Sequence, residues 1–220
     1  MLGIERKYWD EGLVKVAGVD EAGRGPLAGP VVASAVVLSV EFAQLEEHGL
    51  LEGLTDSKKL SESRREGFAE ILRSSACVEI GIGVSGAAEI DRLNILNATH
   101  LAMARAVRDL PSLPELILVD GLAVKGLPRP SVPIVRGDSK SLSIAAASII
   151  AKTTRDARMR ELDAVYPQYG FAAHKGYGTR AHIQALYEHG PSPEHRRSFS
   201  PVREAEENLS GGESQQTLFD

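Results

Sequence analysis

Residues 13–38 read LVKVAGVDEAGRGPLAGPVVASAVVL. Leu13–Val19 and Val31–Leu38 are rich in valine and read as strands. Between them DEAGRGPLAGP brings three glycines and two prolines that continue neither strand nor helix. The first strand therefore ends at a pair of acids, Asp20 and Glu21, followed by a tight, backbone-exposed connection.

Working outward, the rest of the chain alternates strands and helices. DSKKL at 56–60 leads into a predicted helix at 62–73, and Val78, Ile80, Ile82 and Val84 alternate at period two as a half-buried strand. The apolar positions Ile90, Leu93, Met103 and Val107 predict one helix over 87–110. LILV at 116–119 is a short buried strand ending in Asp120, and a second short apolar run at 133–135 precedes Arg136, Gly137 and Asp138. Residues 141–165 carry no Gly or Pro and include AAAS, a helix whose small side chains allow close backbone approach to the sheet. Residues 179–189 form a last helix, closed by Gly190 with prolines behind it. Strands alternating with helices make the fold α/β, one domain over 1–203. From Glu204 onward the sequence turns to Glu, Ser, Gly and Gln, which predicts a disordered acidic tail over 204–220.

Composition narrows the compartment. The 220 residues are 43% hydrophobic and 25% charged, as in ordinary globular proteins. No apolar run approaches the roughly 20 residues of a membrane span, and the start, MLGIERKYWDEG, has no signal or transit character. A single cysteine, Cys77, allows no internal disulfide. These features predict a cytoplasmic protein. The formal charge of −5 resides in the tail, because residues 1–203 carry as many acids as bases. Within 152–203 nine bases face five acids, an excess compatible with phosphate binding or with an ordinary solvated helical face.

Four carboxylates, Asp20, Glu21, Asp120 and Asp138, stand at or after strand ends, where open α/β sheets place their sites. Converging anions raise one another's pKa unless a cation intervenes. Oxygen-only ligands favour magnesium or manganese, and two such ions can activate water for phosphodiester hydrolysis. Each acid also has a plainer reading: Asp138 as a helix cap, Asp120 before Gly121 as a turn start, Asp20 and Glu21 as exposed loop charges. Gly23, Arg24 and Gly25 suit close approach of the main chain to a sugar or phosphate, or simply a turn needing positive φ. Lys58 and Tyr177 are candidates for a phosphate contact and for stacking on a sugar or base. No GxxxxGK(S/T) phosphate loop, HExxH, CxxC or GxSxG is present, and GRGPLAG lacks both the Lys and the GxGxxG spacing of nucleotide-binding turns.

Taken together, VAGVDEAGRGPLAGPVVASAVVL, DSKKLS, IDRLNILNATHLAM, LILVDG, GDSKSLSIAAASIIAKTTRD, YGFAAHKGYGTRAHIQAL and HRRSFSPV resemble bacterial ribonuclease HII, the type 2 ribonuclease H family, in one order over residues 13–202. The resemblance implies an RNase H-like mixed β-sheet flanked by helices with a C-terminal helical extension. It implies that Asp20, Glu21, Asp120 and Asp138 bind two catalytic magnesium or manganese ions, that Gly23, Arg24, Gly25 and Tyr177 read the ribonucleotide, and that Lys58 contacts phosphate. The implied substrates are RNA/DNA hybrids and duplex DNA carrying ribonucleotides, nicked on their 5′ side to leave a 3′-hydroxyl and a 5′-phosphate by a monomeric enzyme. Gln215, Leu218 and Phe219, in QQTLF, look like the short peptide that docks on the bacterial sliding clamp. Two other readings are a catalytically silent nucleic-acid or clamp-binding module, which the full set of acids disfavours, and another two-metal phosphoesterase, which leaves GRG and Tyr177 unexplained.

Overall fold

The computed structural model describes residues 1–42, 49, 51–54, 57 and 60–216, the last stretch from 210 by its backbone alone. The chain divides into two compact units. The first comprises Met1–Ala22, Val31–Val84 and Thr99–Thr154, and the second Gly23–Pro30, Ser85–Ala98 and Arg155–Asp220.

The first unit is built on a five-stranded sheet. Strands β1 (Val16–Ala22), β2 (Val31–Leu38), β3 (Val78–Ser85), β4 (Leu116–Asp120) and β5 (Ser131–Ile134) lie in the order β3-β2-β1-β4-β5. β1 runs antiparallel to β2 and parallel to β4, which in turn is parallel to β5. The sheet is therefore mixed. Every residue of β2 is buried, as expected of an inner strand covered on both faces.

Helices α1 (Gly3–Asp10) and α2 (Glu62–Ser74) precede β1 and β3. Helix α2 starts where Ser61 accepts the Arg64 N–H, a conventional N-cap. Helix α5 (Leu142–Val165) lies on one face of the sheet, where Ala145, Ala146, Ile149 and Ile150 join Val36, Leu38 and Leu72 in the main core with Ile80 and Ile82 against it. Gly18 lets the start of α5 come down onto β1: a Cβ there would lie 2.2 Å from the Ser143 carbonyl carbon. The small residue that permits this approach is thus on the strand as well as in AAAS. Gly81 and Gly83, on the opposite face of β3 from Ile80 and Ile82, abut the backbone of Ala106 and Ala102.

The helix expected over 87–110 is two helices, α3 (Ala87–Leu93) and α4 (Ile95–Arg108). Asn94 breaks it with φ 65° and ψ 163°, outside both the helical and the left-handed helical wells. Its side-chain oxygen accepts the Asn97 N–H at 3.1 Å and restarts the helix.

The second unit holds the later helices: the single turn α6 (Phe171–His174), α7 (Arg180–His189) and α8 (Ser200–Gln216). Thr179 caps α7 by accepting the His182 N–H, and Gly190 closes it with φ 72°. Where the sequence reading places a disordered tail from Glu204, of which residues 217–220 lie outside the described residues, helix α8 carries the chain through Gln216. The physical reason is packing: Val202 and Ala205 are buried with Leu27 and Leu186, against Ile183 and Phe199, so an apolar stripe at helical spacing anchors the polar segment. Among the described residues no helix is long and apolar enough to cross a membrane.

Candidate active site

In the first unit the strand ends collect the acids. Asp20 and Glu21 lie inside β1 rather than after it, paired in register with Ser34 and Ala33 of β2. The antiparallel ladder with β2 continues through Ala22 and so outlasts the apolar pattern that suggested an end at Val19. Asp120 is the last residue of β4, one position beyond the parallel pair Val19 with Val119. The same register brings Asp20 beside Asp120.

Asp20 is 6% exposed. Its Oδ1 accepts the Glu21 N–H at 2.7 Å, and its side chain is hydrogen-bonded to Ser148 of α5. Burial, with the neighbouring charges of Glu21 and Asp120, holds its carboxyl well above the usual carboxylate range. Ser148 Oγ is also 2.9 Å from Ser57 Oγ, which links Ser57 to Asp20. The sequence offered no reason to single out Ser148 beyond its place at the end of AAAS. Lys58, the candidate phosphate contact, lies outside the described residues.

The turn that carries Asp138 is tied to Asp120 through Gly137. β5 ends beside Asp120, paired with Ile134, and the chain turns at Arg136 with φ 56° into a short 3-10 turn, Gly137–Ser139. The Gly137 N–H donates to Asp120 Oδ1 at 2.6 Å. Asp138 is half-buried in that turn. The helix that follows begins at Leu142 and is capped by Ser141, whose Oγ accepts the Ile144 N–H; Asp138 is not its cap. Ser141 and Ser143 are themselves held by the buried Glu5, whose Oε1 accepts both hydroxyls and the Ser143 N–H.

The donor set here is carboxylate oxygen, and Asp20 bears the mark of uncompensated negative charge, which suits a hard divalent cation. Among the described residues no three acidic, His or Cys side chains enclose one ion by themselves. Such a centre fits an ion held by one or two carboxylates and completed by phosphate and water, the usual habit of magnesium.

In the second unit the GRG turn is held from beneath. Gly23 has φ 96°, and a Cβ there would meet the Arg155 side chain at 2.0 Å. A positive-φ turn is therefore required at Gly23, whereas Arg24 and Gly25 are exposed. The space where a Gly25 Cβ would stand is 3.7 Å from the ring of Tyr177, itself 48% exposed. Two arginines buried to 1% and 0% exposure fix this loop through its carbonyls. Arg155 donates to Pro30, Ala28 and Lys175, and Arg196 to Gly23, Arg24 and Gly29. Burial lowers the pKa of both. These two charges belonged to the basic excess of 152–203. They are spent on the backbone, so that part of the excess is not a solvated phosphate-binding face.

Gln215 falls within α8, and Leu218 and Phe219 lie outside the described residues.

Comparison with known proteins agrees with this architecture. The family model described as Ribonuclease HII matches residues 17–202. The Ribonuclease HII of Geobacillus kaustophilus is 53% identical over 205 residues, covering 93% of this chain and 75% of that protein. The crystal structure of ribonuclease H2 from Pyrococcus horikoshii superposes with a TM-score of 0.74 at 28% identity, covering 89% of this chain and 99% of that one. RNase HII of Archaeoglobus fulgidus, solved in complex with PCNA, gives 0.68 at 26% identity, covering 85% and 96%. The chain belongs to the ribonuclease HII family.

Proposed function

We propose that the chain nicks duplex DNA on the 5′ side of an embedded ribonucleotide, in addition to the endoribonuclease action on RNA/DNA hybrids that comes with its family, and leaves a 3′-hydroxyl and a 5′-phosphate. The observation that carries the assignment of roles is Asp20 beside Glu21 and Asp120, held protonation-prone first by its burial and then by those two charges. That arrangement is costly for a structural acid and useful for one that takes up cations.

Asp20, Glu21, Asp120 and Asp138 are the metal-binding set. Divalent ions bound there, magnesium or manganese and two during catalysis, would activate a water and stabilise the leaving oxygen. The protein's own share is positional. Ser148 orients Asp20, and the Gly137 N–H orients Asp120. Gly23, Arg24 and Gly25 offer main-chain groups to the 2′-hydroxyl, the one group that marks a ribonucleotide in a DNA strand. Tyr177 stacks on the sugar beside it, and Lys58 contacts phosphate. The enzyme acts as a monomer in the cytoplasm. Its C-terminal Gln215, Leu218 and Phe219 dock on the sliding clamp, and clamp binding unchanged by Leu218→Ala with Phe219→Ala would remove that role.

The experiment that tests the metal set is Asp120→Asn. Asparagine keeps an oxygen for the Gly137 N–H and removes only the charge. Turnover should fall by at least about 1,000-fold, roughly 4 kcal/mol of barrier, while affinity for a ribonucleotide-containing duplex persists. Near-normal turnover would take Asp120 out of the site.

A further inference from the structure

Three histidines in the second unit stand in one hydrogen-bonded array. His182 Nδ1 lies 2.9 Å from the Tyr177 carbonyl oxygen, and its Nε2 lies 3.0 Å from His195 Nε2. His195 Nδ1 accepts the Ser192 N–H at 3.0 Å and is 2.8 Å from the Ser192 hydroxyl. His174 Nδ1 accepts the Gly176 N–H at 3.2 Å, while its Nε2 lies 2.7 Å from the Tyr169 carbonyl. The His174 ring stacks on His182, with centroids 4.4 Å apart and planes 13° apart.

These partners leave each ring one choice. A carbonyl only accepts and a main-chain N–H only donates. His182 must carry its proton on Nδ1, which leaves Nε2 bare to accept from His195. His195 must carry its proton on Nε2, because Nδ1 is already accepting. His174 likewise must be protonated on Nε2 alone. One proton per ring satisfies every contact, and a second proton on His182 or His195 would oppose an existing donor. Burial accordingly lowers the pKa of His182 and His195.

What the array holds is the segment that carries Tyr177. His174 fixes Gly176, and His182 fixes the carbonyl of Tyr177, which also accepts the Thr179 N–H at 2.8 Å. The Gly176 carbonyl in turn accepts the Leu27 N–H at 2.8 Å, in the loop that follows GRG. Tyr177 itself is left exposed, so its main chain is anchored while its ring faces solvent. Networks of this kind rigidify a site when every member is satisfied.

We infer that His182, with its tautomer set by His195, is the positioning residue for Tyr177, and that it sets the efficiency with which the ribonucleotide is engaged. This rests on the reading of Tyr177 given above. A misplaced binding group costs on the order of 10- to 100-fold in rate, and that loss must pass through Tyr177.

The test is a double-mutant cycle on kcat/KM for duplex DNA with one embedded ribonucleotide. His182→Phe should lower kcat/KM about tenfold or more in the parent enzyme and have no further effect in Tyr177→Ala, because the two act as one unit. His182→Asn, whose amide can donate where Nδ1 does, should recover most of the loss. Equal losses in both backgrounds, or no loss in the parent, would overturn the inference. Tyr177→Ala without effect would instead overturn the reading of Tyr177 and, with it, this role of His182. Should His182→Phe fail to fold, His195→Leu is used in the same cycle, with His195→Gln as the variant that keeps the donor. In the unaltered protein, long-range 15N–1H spectra should show His182 protonated on Nδ1 and His195 on Nε2; the reverse pattern would overturn the inference directly.

Discussion

The Gly137 N–H donates to Oδ1 of Asp120 at 2.6 Å. This bond ties the end of β4 to the turn that carries Asp138, two segments that the sequence separates by a proline-rich connection. It also explains the glycine: a Cβ on Gly137 would stand 2.6 Å from Ile144 Cδ1 and 3.3 Å from Asp120 Oδ1. Gly137→Ala should therefore shift the Asp120 carboxylate rather than unfold the protein. Its kcat is expected to fall about tenfold, since small displacements of reacting groups are costly, with a change in Tm of only a few degrees. Steady-state kinetics beside a thermal melt check this, and an unchanged kcat would mean that the turn does not set Asp120.

Gly18→Ala is expected to fail for a different reason. The new Cβ would meet the Ser143 carbonyl carbon at 2.2 Å and the Ile144 nitrogen at 2.3 Å, main-chain atoms at the start of α5 that cannot swing aside. Overpacking of this kind costs about 3 kcal/mol, or roughly 10 °C in Tm for a chain of this size. Denaturant unfolding would show it, and a loss below about 1 kcal/mol would indicate that α5 can retreat from β1.

Asp20 gives the metal-free protein a pH dependence of definite sign. Its carboxyl titrates above the ordinary value of 3.8 when folded, so the folded state holds a proton that the unfolded state has already lost. Its contribution to stability therefore falls as pH rises from 3.8 up to the raised folded value and is constant beyond it. Asp20→Asn should raise the Tm of the metal-free protein at neutral pH. It should also shrink the gain in Tm on adding magnesium or manganese, because binding to the folded state is what stabilises it. A variant less stable than the parent at pH 7 in EDTA would contradict this.

His195 acts in the opposite sense. Burial, followed by the proximity of His182, pushes its pKa down to about 3, whereas the unfolded chain takes up the proton near 6.5. The stability it contributes is complete above pH 6.5 and is lost progressively as pH falls toward 3. In an NMR titration from pH 8 to 5 its ring signals should stay those of a neutral imidazole. A midpoint near 6.5 would place His195 in water rather than in the array.

Much of this was legible in the chain because local chemistry and global fold agree. The valine-rich runs on either side of DEAGRGPLAGP are β1 and β2, and the helices expected over 62–73 and 179–189 are α2 and α7. Where the reading departed, a non-local partner decided. Asp20 and Glu21 are strand residues because β2 pairs with them, which no property of the acids announces. Asn94 divides a helix that hydrophobic periodicity alone would continue. Arg155 and Arg196 look like surface charge in a basic stretch and are buried clamps, since all their partner carbonyls but that of Lys175 lie well over a hundred residues away in sequence. Helix α8 forms on a polar segment because Val202 and Ala205 find Leu27 and Leu186.

The central claim, that a metal-dependent hydrolase reads a ribose within duplex DNA, is tested most directly by incubating the protein with duplex DNA carrying a single ribonucleotide, in magnesium, in manganese and in EDTA, and mapping the fragment ends. The account predicts a nick on the 5′ side of the ribonucleotide with a 3′-hydroxyl, present with either metal and absent in EDTA, and no cut in the all-DNA duplex. Cleavage of all-DNA duplex at a similar rate, or binding without any cleavage in either metal, would contradict it.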